Sequence, residues 1–373
     1  MKKNKKKNIF ILSLKYAPGL LKEFFVLGNN IRKQNANVRY MLSEKYKALT
    51  KENKDIDYVS NAANNLEMIL ETFSGSLLKT ILEIFNETAP DVILFYNPHL
   101  LNPILSKKLK KIYPDAKIML YLHDPYKPEK KSYGIKKSLY YTFVERVQKK
   151  TVKYMDHVIS PSQRSSELFL RYYKNFSGKN HIAPLILPDK KEKKTKPLYF
   201  TIVGHAHFAS GHDDFFRLIK FTVNNKLSFH YAIISSSNID RYMNSLTKEE
   251  KSFLKVINKP VITDDEIDDL VSESFAVFRF DKEVTQSGVI PVAYRKGVPV
   301  IVRNIPGLGQ HVDHKKSGYV ISEKFSVNEA IEAMKFVKEN FNMLTKKSKD
   351  KFNGIWSEKN WINYYSWLKK IIL

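Results

Sequence analysis

Thr285-Gln286-Ser287-Gly288-Val289-Ile290-Pro291-Val292-Ala293-Tyr294-Arg295-Lys296-Gly297-Val298-Pro299-Val300-Ile301 is the stretch on which the fold turns. It follows Ala276 to Phe280, an apolar run of strand length. Thr-Gln-Ser-Gly then opens a helix, so helix-terminal N–H groups and short hydroxyls converge on a position suited to an anion. Gly288 lets backbone approach a ligand closely, and Arg279 and Lys282 add charge upstream. Gly297 ends the helix, Val298 to Val302 is a buried strand, and Asn304 to Gly309 is a loop. The same Ser-Gly start would serve equally as a plain helix cap.

Outward from this unit the pattern repeats. Upstream in the same half, Leu198 to Val203 is a strand ending at Gly204, Asp213 to Val223 a helix, and Phe229 to Ile234 and Val261 to Thr263 are strands. Pro188 to Lys196 is a charged, solvated linker. Before it, strands are expected at Asn8 to Leu14, Val38 to Leu42, Pro90 to Asn97, Ala116 to Leu122 and Asp156 to Ser162. Helices are expected at Leu20 to Gln34, in one or two pieces over Asn64 to Thr88, and at Gly134 to Tyr154. Strands alternating with helices imply parallel, doubly wound sheets, with a ligand held in the cleft between two such halves. The expected domains are 1–190, 197–352 and a terminal helix, 353–373. That helix carries Trp356, Trp361, Tyr364, Tyr365 and Trp367, and either packs on the nearest core or crosses back to the first domain.

The bulk composition narrows the function. At 373 residues and 43% hydrophobic content the chain has material for two cores. No apolar run approaches the roughly 20 residues of a membrane span. Met1 to Lys7 is basic but leads only into the short strand Ile9 to Leu12, not the apolar core of a signal peptide. Zero cysteines exclude disulfides and thiolate metal sites and fit a reducing cytoplasm. The net charge of +25 fits an anionic membrane surface, nucleic acid or a bias that only decorates the surface. Lysine far outnumbers arginine, which disfavours nucleic acid, where arginine makes the bidentate contacts. Between Lys127 and Lys153 nine basic residues face two acidic ones, and Leu139, Phe143 and Val147 share a stripe. That segment, with Lys107-Lys108 and Lys110-Lys111, reads either as a docking face for anionic lipid or as a core stripe with a solvated back.

The order of Thr-Gln-Ser-Gly-Val-Ile-Pro, helix, Lys-Gly-Val-Pro-Val-Ile, Pro306-Gly307-Leu308 and Ser317-Gly318-Tyr319-Val320 resembles the donor-binding half of GT4-like retaining glycosyltransferases. Leu122-His123-Asp124-Pro125, Asp156 to Ser162, the glycine turn after the first strand and the aromatic C-terminal helix agree with it. The resemblance covers nearly the whole chain. It implies the GT-B fold, two Rossmann-like domains around a cleft with a C-terminal cross-over helix, in a variant with Thr-Gln-Ser-Gly in place of the usual E-x7-E motif. Aligned on Gly288 and Pro291, Thr285 stands at the first Glu and Ala293 at the second, which ordinarily contacts ribose. The family's G-R-x4-K-G run is here Gly204 to Gly211, with His205 for Arg and Ser210 for Lys. Losing both cations weakens a diphosphate grip unless His205, Lys282 or Arg295 compensates.

The implied activity is transfer of a sugar, hexosyltransferase-type and retaining, from a nucleotide-diphosphate donor to a lipid-linked or glycan acceptor in surface polysaccharide synthesis. The implied donor site is Gly19, Gly204, His205, Ser210, Lys282, Thr285, Gln286, Ser287, Gly288 and Val289. The implied catalytic pair is His123, beside the reacting bond, and Asp124, ordering the loop. His123 could instead cap the turn before Pro125, and Gly19 could be only the turn after Pro18. No metal is expected, since His205, His207 and His212 lack a carboxylate in clear ligand geometry, and no cofactor beyond the co-substrate. The implied location is the cytoplasmic face of the membrane. The competing reading is a degenerate GT-B protein acting as a non-catalytic partner or glycan-binding subunit, for which Ala293, His205 and Ser210 speak.

Overall fold

The computed structural model describes residues 6–50, 53–62, 65–125, 135–189, 195–207 and 209–372. The chain divides into unit 1, Met1–Ile186 with Trp361–Leu373, and unit 2, Leu187–Asn360.

In unit 1 the strands are β1 (Asn8–Ser13), β2 (Asn37–Ser43), β3 (Ile56–Ser60), β4 (Val92–Phe95), β5 (Lys117–Tyr121), β6 (His157–Ser160) and β7 (Lys179–Ile182). They form one parallel sheet in the order β3-β2-β1-β4-β5-β6-β7. The helices between them are α1 (Leu21–Arg32), α2 (Asn65–Ser74), α3 (Ser76–Glu87), α4 (Asn102–Ile112), α5 (Ile135–Val152) and α6 (Gln163–Tyr172). Ile9 and Ile11 join one core, Phe10 and Leu12 the other, so β1 is covered on both faces. That is why it reads as an unbroken apolar run. The chain leaves β1 toward β2 and β3, then returns to its other side as β4. The exits of β1 and β4 therefore form the sheet's switch point, where ligands of such sheets bind.

Unit 2 repeats the plan with β8 (Tyr199–Val203), β9 (His230–Ser235), β10 (Leu254–Asn258), β11 (Ser274–Arg279), β12 (Val300–Arg303) and β13 (Gly318–Ile321). Its parallel order is β10-β9-β8-β11-β12-β13, and the switch point lies between β8 and β11. Its helices are α7 (His212–Asn224), α8 (Asp240–Met243), α9 (Lys248–Ser252), α10 (Asp264–Ser272), α11 (Val289–Arg295), α12 (Val327–Glu339) and α13 (Phe341–Ile355). The last helix, α14 (Trp361–Ile372), belongs to unit 1.

Several expectations are corrected. Val261 to Thr263 is not a strand: Thr263 caps α10, its hydroxyl accepting from Glu266 N–H while Glu266 bonds back in a capping box. The sheet edge is instead Leu254–Asn258. The one or two helices expected over Asn64 to Thr88 are two, as allowed for, broken where Gly75 adopts φ +76°. Unit 2 begins at Leu187 rather than after a linker ending at 196, because Leu187 N–H bonds Trp356 and Asp189 accepts from Ser357 Oγ. The return to unit 1 begins at Trp361 rather than 353. Phe352 and Trp356 are buried in the unit 2 core, whereas Trp361, Tyr365, Leu368 and Ile372 are buried in unit 1. No helix among the described residues is long and apolar enough to cross a membrane.

Candidate functional site

In unit 1 the exits of β1, β4 and β5 line a cavity of about 350 Å³. Lys15 follows β1, Pro98 and His99 follow β4, and His123 and Asp124 follow β5. One side of α5 supplies Tyr140, Tyr141, Val144 and Gln148. The loop after β1 is held by Asn97, whose Nδ2 donates to Ser13 Oγ at 2.9 Å and to the Lys15 carbonyl at 2.6 Å. The loop after β5 is pinned by Ser165 Oγ on the His123 carbonyl and by Tyr173 on the Pro125 carbonyl. Both loops are therefore fixed by buried hydrogen bonds, and their side chains are presented on rigid backbone.

His123 lies 4.7 Å from the Tyr121 ring, centroid to centroid, and burial pushes its imidazole down to about 4 against the opposing pull of Asp124. His99, absent from the sequence-derived site, is its companion. Burial, helped by the Lys15 charge, also holds His99 near 4. Its Nδ1 accepts the Leu101 N–H at 3.1 Å, which places the proton on Nε2, and that nitrogen has no partner among the described residues. Two neutral imidazoles and a lysine thus converge on one cavity, each able to bond a hydroxyl-rich ligand. Lys15 Nζ donates to Tyr140 Oη at 3.1 Å. Gly19 does not line the cavity. It sits in an exposed turn with open space where a Cβ would be, so the turn itself does not require glycine.

In unit 2 the expected donor residues gather at the β8/β11 switch point. Gly204 closes β8 at φ +119°, a conformation that side chains avoid. Gly204→Ala is expected to cost about 1–2 kcal/mol, read as a lower urea midpoint; an unchanged midpoint would mean the loop relaxes freely. Lys282 N–H donates to the Ala209 carbonyl at 2.8 Å, which ties the loop after β8 to the loop after β11. Gly211 packs so closely on Phe280 that a Cβ would lie 2.3 Å from its carbonyl oxygen.

The turn from Thr285 to Val289 leads into α11, and its members take different roles. Thr285 and Ser287 are buried, and Ser287 Oγ accepts the Val289 N–H at 3.3 Å in the turn that opens α11, whose N-cap residue is Gly288. Gln286 is half-buried and Gly288 exposed with an ordinary helical φ of −68°. The Pro306–Leu308 loop backs the cradle: a Cβ on Gly307 would meet the Val284 carbonyl at 1.8 Å. Ser210 does not present its hydroxyl to a ligand, because that group accepts from His207 N–H and bonds His212 Nδ1 at 2.8 Å. It is a loop clamp. His205 is exposed, 3.5 Å from Ser236 Oγ.

The cations sort just as clearly. Arg279 turns back to bond the Val203 carbonyl and Asp281. Arg295, at 2% exposure, is locked on Asp268 at 2.6 Å and cannot compensate for the missing Arg/Lys pair. Lys282 and His205 remain at the surface of the loops. No group of three or more metal-ligating side chains occurs among the described residues.

No protein-family model and no curated protein sequence matches the chain. Solved structures do match, over nearly its whole length. Sucrose-phosphate synthase from Thermosynechococcus elongatus superposes with a TM-score of 0.74 at 13% identity, covering 98% of each chain. TarM superposes at 0.75 and 8% identity, covering 100% of each. Anabaena HepE in complex with UDP-glucose gives 0.69 at 13% identity over 97% of this chain and 99% of its own. The fold is GT-B. On this GT-B frame each unit carries its candidate residues at its own switch point, as the chemistry of open parallel sheets requires.

Proposed function

We propose that this GT-B chain is a glycosyltransferase. It takes its sugar from a nucleoside-diphosphate donor held at the β8/β11 exits and delivers it to an acceptor hydroxyl in the unit 1 cavity. The observation that carries the reading is the pair of neutral histidines, His99 and His123, beside Lys15 at the first switch point. HepE is in complex with UDP-glucose on the same fold, which supports a nucleotide sugar as donor. The donor's diphosphate would lie against the Gly288 N–H and near Lys282 and His205, while Ser287, holding the Val289 N–H, shapes the turn. Departure of the diphosphate leaves an oxocarbenium-like sugar, so stabilising leaving-group charge matters more than a strong base. Transfer is with retention, metal-independent and of hexosyl type in this reading. The acceptor is a lipid-linked or glycan hydroxyl of a surface polysaccharide, met at the cytoplasmic face of the membrane.

The test is a calorimetric titration of the full chain with nucleoside diphosphates and their sugar conjugates. One nucleotide is expected to saturate, and Ser287→Asp, which sets a carboxylate in the cradle, to weaken it at least about tenfold by like-charge repulsion. A folded protein that binds none of the panel would favour the second reading, a non-catalytic glycan-binding partner. The internal pairing of Arg279 and Arg295 and the buried Ala293 are what speak for that alternative.

A further inference from the structure

Helix α5 is apolar on two sides, and only one of them faces protein. Its cavity side carries Tyr140, Val144, Val147 and Gln148. The expected stripe of Leu139, Phe143 and Val147 is therefore split, because Val147 turns inward to the cavity. Steps of three and four residues place Ile135, Leu139, Phe143, Arg146 and Lys150 on another face, with Lys153 just beyond the helix end. On that face Ile135, Leu139 and Phe143 are 82, 66 and 48% exposed. Three bulky apolar side chains in a row along one helix are followed by three cations.

The cationic end runs into a groove between α4 and α5. Leu78, Pro103 and Ile104 supply its apolar part. Lys107, Lys108, Lys111, Lys150 and Lys153 ring it, and no acidic residue among the described residues lines it. The neighbouring Lys110 is already paired with Asp156 at 2.6 Å, so it belongs to the fold rather than the ring. Exposed lysines clustered without counter-charges repel one another, and an external anionic surface relieves that repulsion. Lys127, Lys130 and Lys131 of this segment lie outside the described residues.

We infer that unit 1 docks flat on an anionic lipid bilayer through this face, with Ile135, Leu139 and Phe143 entering the headgroup region and the lysine ring lying on the phosphates. An exposed apolar row beside a basic plate combines buried apolar area with attraction to anionic lipid, the two terms of interfacial binding, and no described helix offers a span instead. The inference deepens the membrane-associated reading above. Docking there sets α5 between the bilayer and the cavity, so an acceptor with an apolar anchor reaches His99 and His123 without leaving the surface. That consequence rests on the transferase reading; the docking does not.

The experiment is sedimentation of the full chain with vesicles of phosphatidylcholine alone and with about one third phosphatidylglycerol. Binding is expected only to the anionic vesicles, falling as salt rises. Each lysine near such a surface is worth about fivefold, so Lys107→Gln, Lys108→Gln and Lys111→Gln together should weaken binding about a hundredfold. Leu139→Ser with Phe143→Ser, both exposed, should weaken it at least about tenfold. The control replaces Lys248, Lys251 and Lys346, exposed lysines of unit 2, by Gln. Equal loss in the control would mean diffuse attraction by net charge and overturn the proposal, as would absence of binding by the wild-type chain. Nucleotide titration of the same variants without vesicles separates the readings. Vesicle binding without nucleotide binding supports the docking face and sinks the transferase.

Discussion

His123→Ala is expected to lower the rate of sugar transfer by about a hundredfold or more, with nucleotide affinity essentially unchanged and the protein still folded at a somewhat lower unfolding midpoint. The imidazole sits where β5 ends, on a loop whose carbonyls are held by Ser165 and Tyr173, so its position does not depend on its own side chain. Burial keeps it neutral down to about pH 4. A neutral imidazole gives or accepts one hydrogen bond at each nitrogen, and a positioned group of this kind typically contributes about 10²–10⁴-fold. The sign of the pH effect follows from the downward shift: no protonation of His123 occurs near pH 6.5, so the rate should show no acid limb there from this residue. His99→Ala should act in the same direction, since its Nε2–H has no internal partner among the described residues. The measurement is donor turnover at saturating nucleotide sugar. Wild-type turnover by a folded His123→Ala protein would remove this residue from the chemistry and leave it as part of the cavity wall.

Glu23→Gln is expected to stabilise the chain by about 3 kcal/mol at pH 8 and to have little effect below pH 4.5. Glu23 lies inside unit 1 on α1, facing Tyr96, Tyr121 and Tyr365 of the returning helix α14. Burial drives its carboxyl up to about 7, outweighing the opposing influence of the Tyr96 and Tyr121 hydroxyls, and its Oε1 has no hydrogen-bond partner among the described residues. In the unfolded chain the group titrates near 4.5. Between 4.5 and about 7 the folded state holds the proton and the unfolded state does not, so stability falls as pH rises across that window and levels off above it. Gln removes the titration while keeping the shape. Urea unfolding at several pH values, followed by fluorescence of Trp361 and Trp367, checks it. A variant whose stability still falls between pH 4.5 and 7 as steeply as the wild type would show that Glu23 is not the group responsible. The neutral carboxyl lies under α14, so alkaline conditions should loosen that helix first.

The central strands were legible in the sequence because β1, β4, β5, β8 and β11 are covered on both faces, and only continuous apolar runs satisfy that burial. The edge strands β3, β7 and β10 were not legible. Lys179-Asn180-His181-Ile182 is polar and half exposed, and in Leu254 to Asn258 only Leu254 is buried while Val256 and Asn258 are exposed, so neither carries a core strand's signal. The cradle at Thr285 to Val289 was visible because turn and helix start are local chemistry. His99 was not, although it stands two residues beyond the polar exit Asn97. Its significance comes from Leu101 N–H occupying Nδ1, a contact made by the fold of the loop.

From the sequence alone follow two parallel α/β units, a turn and helix start after β11 and a strand-end histidine at 123, because periodicity and turn residues act over a few neighbours. The tertiary structure decided which of the nearby cations stay at the surface. Arg279 and Arg295 look identical to Lys282 in a string of letters, but Asp281 and Asp268 meet the first two and bury them. It also decided that Ser210 is a clamp, that Trp356 and Trp361 serve different cores, and that Leu139 and Phe143 face outward while Val147 faces the cavity. Each of these depends on which distant backbone arrives beside a side chain, and a burial or charge pair set by long-range packing leaves no local trace in the sequence.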